Sequence, residues 1–352
     1  MKKRGLHTTD FSAPMSLVQV TGAVTVIGAT ISDQITTNIG SPQGAIISTT
    51  IFIVLVADIG LWSHSIIHSY ADDTTSSLSG ENFEELKKMC ELEALKILDF
   101  MAVNHLKAND DKTAILVLRR YQSEDVETFK IGNEEVIEKK SEKLLGVNVS
   151  NDLKWEEHIR KLVAKLRFRL FNLKRLSRKL PNNNLKQVAD AIFMSDVRYG
   201  LPLYCPIQID PSKDPLPGCI DKLRVVFNDC LRFLTKKKRS DHESIRKMLD
   251  ELGWLSLNQL AFETRLVEAW KTSKTQDYCL NDILTKKMKG PYSTRSNSQD
   301  LFERGVDDLH GSAGFVNPTA RIWNIAPEEV KNANSLSEVK RHIRNFVKTL
   351  PL

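Results

Sequence analysis

Tyr70-Ala71-Asp72-Asp73 is the stretch on which the reading of this 352-residue chain turns. Successive side chains on a strand face opposite sides of a sheet, so two adjacent carboxylates converge only at a turn. Held together there, they repel by roughly 1 kcal/mol in water, and a divalent cation between them would reverse that repulsion. Ser65 to Leu78 reads as a hairpin with Asp72 and Asp73 at its turn. On its own an Asp-Asp pair equally describes a solvated turn or a helix cap.

Two further blocks flank the hairpin. Gly40-Ser41-Pro42-Gln43-Gly44 precedes it, and Leu106-Lys107-Ala108-Asn109-Asp110-Asp111-Lys112-Thr113 follows it. In this order and at this spacing, the three blocks resemble the polymerase domain of reverse transcriptases of non-LTR (LINE-type) retrotransposons. The resemblance implies that Pro42, Gln43 and Gly44 line the pocket for an incoming nucleotide, together with Tyr70 and Lys112. It implies Asp72 and Asp73 as catalytic carboxylates and ligands of Mg2+, with Mn2+ as a substitute. Lys112, set between Asn109 and Thr113, would be a general acid or a phosphate contact. The implied reaction is RNA-directed DNA synthesis by two-metal nucleotidyl transfer, with an RNA template, a DNA primer duplex and a dNTP as partners.

The chain also departs from that pattern. Ala45 stands where the family usually carries serine. The family's first catalytic aspartate lies on a separate strand well upstream of the Pro-Gln-Gly loop. Asp10-Phe11-Ser12-Ala13 is faintly like that motif but sits too close to Gly40, and Pro14 disfavours a paired strand. The expectation is therefore a truncated enzyme in which two carboxylates hold Mg2+ poorly, inactive or nearly so by itself. Its hairpin would present an open sheet edge that a partner chain could fill with the missing palm strand.

Composition sets wider bounds. A hydrophobic content of 41% and a charged content of 27% are ordinary for a globular chain, and a formal charge of +6 fits a polyanionic partner without demanding one. The 5 cysteines show no Cys-x-x-Cys spacing. That points to a reducing, intracellular setting, nuclear or cytoplasmic, and away from a cysteine zinc site. Ala45 to Val56 is strongly apolar, but Asp58 closes it short of the ~20 residues that span a bilayer. It reads as a buried core helix running to Trp62, with no membrane partner.

The β-branched residues from Val18 to Ile39 read as a first hairpin. After the second hairpin, Phe83, Leu86, Cys90, Leu92, Leu95, Leu98 and Met101 mark an amphipathic helix. Thr113 to Leu118, Thr128 to Ile131 and Leu144 to Val149 read as short strands. Ile159, Leu162, Val163, Leu166, Leu170 and Leu173 make the apolar stripe of a helix over Trp155 to Leu180. Its other face carries Arg160, Lys161, Lys165, Arg167, Arg169, Lys174, Arg175, Arg178 and Lys179, with no acid from Arg160 to Lys179. Solvated faces usually mix both signs, so phosphate contact is the favoured reading over a bare solvated face. Helical patterns follow at Ile220 to Leu234, Asp241 to Leu252, Leu255 to Ser273 and Ser337 to Leu350, the last with Ser335 and Glu338 as a capping box.

The expected fold class is α+β. The resemblance refines it to a truncated polymerase palm (antiparallel hairpins with helices on one face) over residues 1–120. A palm–thumb connection with the basic thumb helix would cover 121–180, and a mostly helical region 181–352. Two alternatives to a polymerase fragment remain open. One is a non-catalytic nucleic-acid-binding protein acting through the basic helix. The other is a helical interaction protein that binds no nucleic acid.

Overall fold

The computed structural model describes residues 21–23, 26–27, 30–31, 35–37, 46–109, 112–119, 126–208, 217–275, 280–281, 284, 300–301 and 314–350. The fold is α+β, helices with small antiparallel hairpins. It divides into two compact units. The first comprises Met1–Ile115 and Ser123–Lys139, the second Leu116–Gln122 and Lys140–Leu352.

In the first unit, β1 (Thr21–Ala23) pairs with β4 (Ile35–Thr37) around β2 (Val26–Ile27) and β3 (Thr30–Ile31). This is the hairpin expected from the β-branched run. The apolar segment that follows is not the buried core helix its composition suggests. It forms α1 (Ile46–Val56), breaks at Ala57 and Asp58, and resumes as the single turn α2 (Ile59–Trp62). Ile53, Val54, Leu55, Leu61 and Trp62 are exposed, and from Ser48 to Trp62 Ile59 alone is buried. An evenly apolar helix can bury only the side that meets a neighbour. Here the visible contact is the edge of Trp62 against Phe100, with ring centroids 5.7 Å apart.

Next come β5 (Ile66–Tyr70) and β6 (Asp73–Ser77), antiparallel, and the long helix α3 (Phe83–Val103). Asn82 caps α3 by accepting from the Glu84 N–H at 3.0 Å, and Glu84 and Glu85 complement its dipole. β7 (Thr128–Ile131) and β8 (Glu134–Ile137) close the unit as a third hairpin. The strand expected over Thr113 to Leu118 contracts to one parallel bridge between Ile115 and Glu138. Four apolar side chains of the described part of this unit are buried: Ile59, Phe100, Phe129 and Ile131. The core is thin.

The second unit opens with β9 (Ser141–Leu144) and β10 (Val147–Ser150). The single strand expected over Leu144 to Val149 is thus a turn between two strands. Leu145 and Gly146 both take positive φ, 47° and 87°, the backbone that a tight hairpin requires. Then come α4 (Glu156–Leu176), α5 (Asn182–Ala189), a π turn over Asp190–Met194, α6 (Ser195–Arg198) and α7 (Leu201–Tyr204). They are followed by α8 (Gly218–Leu234), α9 (Ile245–Leu252), α10 (Leu257–Lys274), α11 (Val316–Ile325), α12 (Glu328–Asn332) and α13 (Leu336–Lys348).

All six stripe residues of α4 are buried, in one core with Leu223, Val226 and Phe227 of α8 and with residues of α10, α11 and α13. At about 1.5–3 kcal/mol per fully buried large aliphatic side chain, this packing rather than helix propensity holds α4 in place. It also puts α4 and the helices beyond residue 181 in one core, where the sequence suggested a boundary. Arg265, fully buried on α10, donates to the carbonyls of Cys205 at 2.9 Å and Pro202 at 2.6 Å, which ties down the end of α7. Burial without a carboxylate partner pulls its pKa down to about 10. At the last helix, Ser335 accepts from Glu338 N–H at 3.2 Å, but the Glu338 carboxylate turns to Asn334 N–H at 2.9 Å, so the capping box is completed one residue early.

Candidate functional site

The hairpin forms as expected, but of the two acids only Asp72 lies in the turn, while Asp73 is the first residue of β6. Tyr70 pairs directly with Asp73, so Ala71 and Asp72 form a two-residue loop. Ala71 has φ 54°, a conformation that glycine normally supplies and that costs an L-residue about 1–2 kcal/mol. Tyr70, Asp72 and Asp73 are all exposed. Neither carboxylate has a hydrogen bond or ion pair among the described residues, which leaves their oxygens open to solvent or a cation.

The base of this hairpin is tied down by a group that periodicity hides. Glu93 on α3 is buried, while Leu92, counted in the apolar stripe, is 55% exposed. Ser63 Oγ donates to the Glu93 carboxylate at 2.6 Å, His64 N–H at 2.7 Å and Lys96 Nζ at 2.7 Å. Ser63 Oγ lies 2.6 Å from Ser65 Oγ, which in turn accepts from Ser76 Oγ at 2.7 Å. Burial alone would raise this acid, but the three donors outweigh it and hold the carboxyl down at about 2. The chain of hydroxyls runs from α3 to Ser65, just before β5, and to Ser76, near the end of β6.

The other residues assigned to the nucleotide pocket divide in two. Pro42, Gln43 and Gly44 lie outside the described residues. Lys112 is exposed, its N–H donating to Asn109 carbonyl at 3.0 Å. Among the described residues no hydrogen bond or ion pair links it to Asp72 or Asp73. No group of three or more His, Cys, Asp or Glu able to hold a metal occurs among the described residues either. Likewise, no described helix is long and apolar enough to cross a membrane.

The cationic face of the second unit is less uniform than its sequence. Lys165 Nζ reaches Asp196 Oδ1 at 2.8 Å and Arg169 Nε stands 3.4 Å from Asp196 Oδ2. Lys161 pairs with Glu157 at 2.8 Å and donates to Asn148 Oδ1 at 2.7 Å. The absence of acids along the helix itself therefore did not mean absence of acids in space. Arg160, Arg167, Lys174, Arg175, Arg178 and Lys179 keep no ion pair among the described residues, and the last two lie beyond the end of α4. Helical phase turns Lys165 and Arg169 toward α6, while Arg160, Arg167, Lys174 and Arg175 share the opposite, outward side.

Two residues on that outward side were not singled out in the sequence. Phe168 is 63% and Phe171 55% exposed, and the Arg175 guanidinium lies over the Phe171 ring, 5.9 Å from its centroid. Their phase relative to the stripe was the available signal, since neither falls in register with Leu166, Leu170 and Leu173. A groove of about 1070 Å³ runs beside the face, lined among others by Lys154, Arg160, Arg167 and Lys222 and by Asp152, Glu156 and Glu157. Asp152 is committed to Ser150 Oγ at 2.6 Å and Lys154 N–H at 3.1 Å.

Lys236, Lys237, Lys238 and Arg239 make a weaker candidate. Arg239 pairs with Asp229 at 2.9 Å and Lys237 with Glu243 at 3.9 Å, so half of that cluster is neutralised inside the fold. Compared with known proteins, the chain matches no family model, no curated protein and no solved structure.

Proposed function

We propose that this chain is part of an RNA-directed DNA polymerase of the non-LTR retrotransposon type, carrying the metal-binding hairpin and a nucleic-acid-gripping helix. The observation that carries the reading is the turn itself: two adjacent, unpartnered carboxylates at the tip of a hairpin whose backbone is strained at Ala71. A strained turn persists where function holds it, and hard carboxylate oxygens are the donors that Mg2+ and Mn2+ prefer. Bound there, such an ion would supply positive charge to the phosphoryl oxygens of a nucleotide.

Two carboxylates are fewer than this chemistry uses, so the third would come from another strand or another chain. The few buried apolar side chains among the first unit's described residues and the exposed Ile66, Tyr70, Leu61 and Trp62 support a partner strand beside the hairpin. The test is Mn2+ broadening of amide resonances in the full chain. Broadening centred on Tyr70 to Thr74, and lost in Asp72→Asn, supports the reading; broadening elsewhere, or none, removes it. Primer extension on RNA by the chain alone would contradict the expectation that it needs a partner.

A second reading, a non-catalytic nucleic-acid-binding protein, is favoured by the unpaired cations on the outward face of α4. It predicts duplex or single-strand binding that falls steeply with salt and is untouched by Asp72→Asn.

A further inference from the structure

The cations of α4 do not stand alone, and what stands among them selects the form of nucleic acid. Phe171 lies one helical turn from Arg167, Phe168, Lys174 and Arg175, so a pair of exposed rings is framed by unpaired positive charge. Exposed phenylalanines have no reason to sit on a face that only counters phosphates. A duplex keeps its bases stacked inside and presents no ring face to a helix lying on its backbone, whereas an unpaired strand does.

We infer that the outward face of α4 binds a single-stranded segment of RNA or DNA, with Phe168 and Phe171 stacking on successive bases and Arg160, Arg167, Lys174 and Arg175 meeting the phosphates. The inference rests on the reading of α4 as a polyanion-binding helix and adds the strand form to it. Arg160 to Arg175 spans about 22 Å of helix, room for roughly three or four nucleotides, the low end of single-strand site sizes. Phe168 and Phe171, three residues apart, hold their Cβ atoms about 5–6 Å from one another, within reach of neighbouring splayed bases. Arg175 over the Phe171 ring adds a cation that can serve both the ring and a phosphate. The groove beside the helix continues the path past Lys154 and Lys222, with Asp152, Glu156 and Glu157 as the acids a strand would have to pass. A neutral protein surface would satisfy the rings but would not need a row of cations kept free of partners.

The experiment is fluorescence anisotropy on the full chain with labelled oligo(dT), oligo(U) and a blunt hairpin duplex, each over a salt series. Tighter binding of the single strands is expected. A Phe168→Ala/Phe171→Ala double variant, checked for unchanged circular dichroism, should weaken them by roughly tenfold or more without changing the salt slope. Phe171→Tyr should keep the affinity and Phe171→Leu lose it, which separates stacking from simple apolar contact. Arg167→Gln/Arg175→Gln should weaken every ligand and lower the salt slope by about 1 per residue. Equal or tighter duplex binding with a silent phenylalanine variant overturns the strand inference and leaves phosphate binding standing. No binding of any nucleic acid at low salt overturns the polyanion reading itself. A concentration-dependent change of mass that the phenylalanine variant abolishes, with no nucleic-acid binding, shows a protein-docking face and overturns both.

Discussion

Lys165 donates a 2.8 Å hydrogen bond to Asp196, 31 residues further along the chain. That one pair divides the cationic helix into a part used by the fold and a part left to solvent. Asp196 also faces Arg169, so two of the cations that sequence alone assigns to phosphate contact are already engaged.

The division predicts opposite outcomes from two charge changes. Arg167→Gln removes a free cation and should lower the salt slope of nucleic-acid binding by about 1. Asp196→Asn removes a negative charge and frees Lys165 and Arg169 on the α6 side, so it should tighten low-salt binding and, where the freed side chains swing to the ligand, steepen that slope. The cost to stability should stay near 1 kcal/mol, because the cations of these pairs are half-exposed and such pairs contribute little. Anisotropy over a salt series reads the first effect and urea unfolding the second. An Asp196→Asn variant with unchanged slope would mean that Lys165 and Arg169 point away from the ligand even when free.

The Glu93 network makes the first unit acid-sensitive. The folded carboxyl sits at about 2, below its ordinary 4.5. A depressed acid contributes stability that is fully present above the unfolded value and is lost as pH falls through the window from about 4.5 to about 2. Near-ultraviolet signals of Trp62, packed against Phe100, should follow this loss. Glu93→Gln should cost about 1–3 kcal/mol at neutral pH by leaving Ser63 and His64 N–H imperfectly paired, and should flatten the dependence. An acid limb that persists unchanged in Glu93→Gln would place the sensitivity elsewhere.

Burial, not the apolar pattern alone, predicts which leucines matter. Leu166 has no exposed surface, so Leu166→Ala should destabilise the second unit by about 2–5 kcal/mol. Leu92, exposed on α3, should tolerate alanine within about 0.5 kcal/mol. Denaturant melts of both variants check the contrast, and a costly Leu92→Ala would show that α3 buries the face its composition suggested.

The same contrast explains what could be read before the structure was known. The α4 stripe was legible because Ile159 through Leu173 repeat at the helical period and every one of them is buried. The hairpin at Tyr70 to Asp73 was legible because strand alternation left the adjacent acids only a turn. Glu93 was not, since its donor Ser63 lies 30 residues away and an acid on a helix normally faces water. The Leu145-Gly146 turn was missed because leucine rarely takes positive φ, so Gly146 was the single local signal of a reversal inside an apolar run. Exposure of Ile53, Leu61 and Trp62 was missed for the converse reason: composition states that a helix is apolar, but only tertiary packing states how much of it finds a neighbour.

Ala71 offers the sharpest test of the acidic turn. Its φ of 54° is strained for alanine and free for glycine. Ala71→Gly should relieve about 1–2 kcal/mol of that strain and give back part of it through a looser unfolded chain, for a net gain of about 0.5–1 kcal/mol. Slower amide exchange at Tyr70 and Asp73 would register the gain. If the strain serves only to turn the chain, Mn2+ broadening at Asp72 and Asp73 should be unchanged or stronger in the variant. If alanine instead restricts the turn so that the two carboxylates can converge on an ion, glycine will stabilise the hairpin and yet weaken the broadening. The proposed metal site requires the second outcome or no change in Mn2+ affinity, and a glycine variant that gains both stability and a several-fold tighter site would show that the native turn was not shaped for the ion.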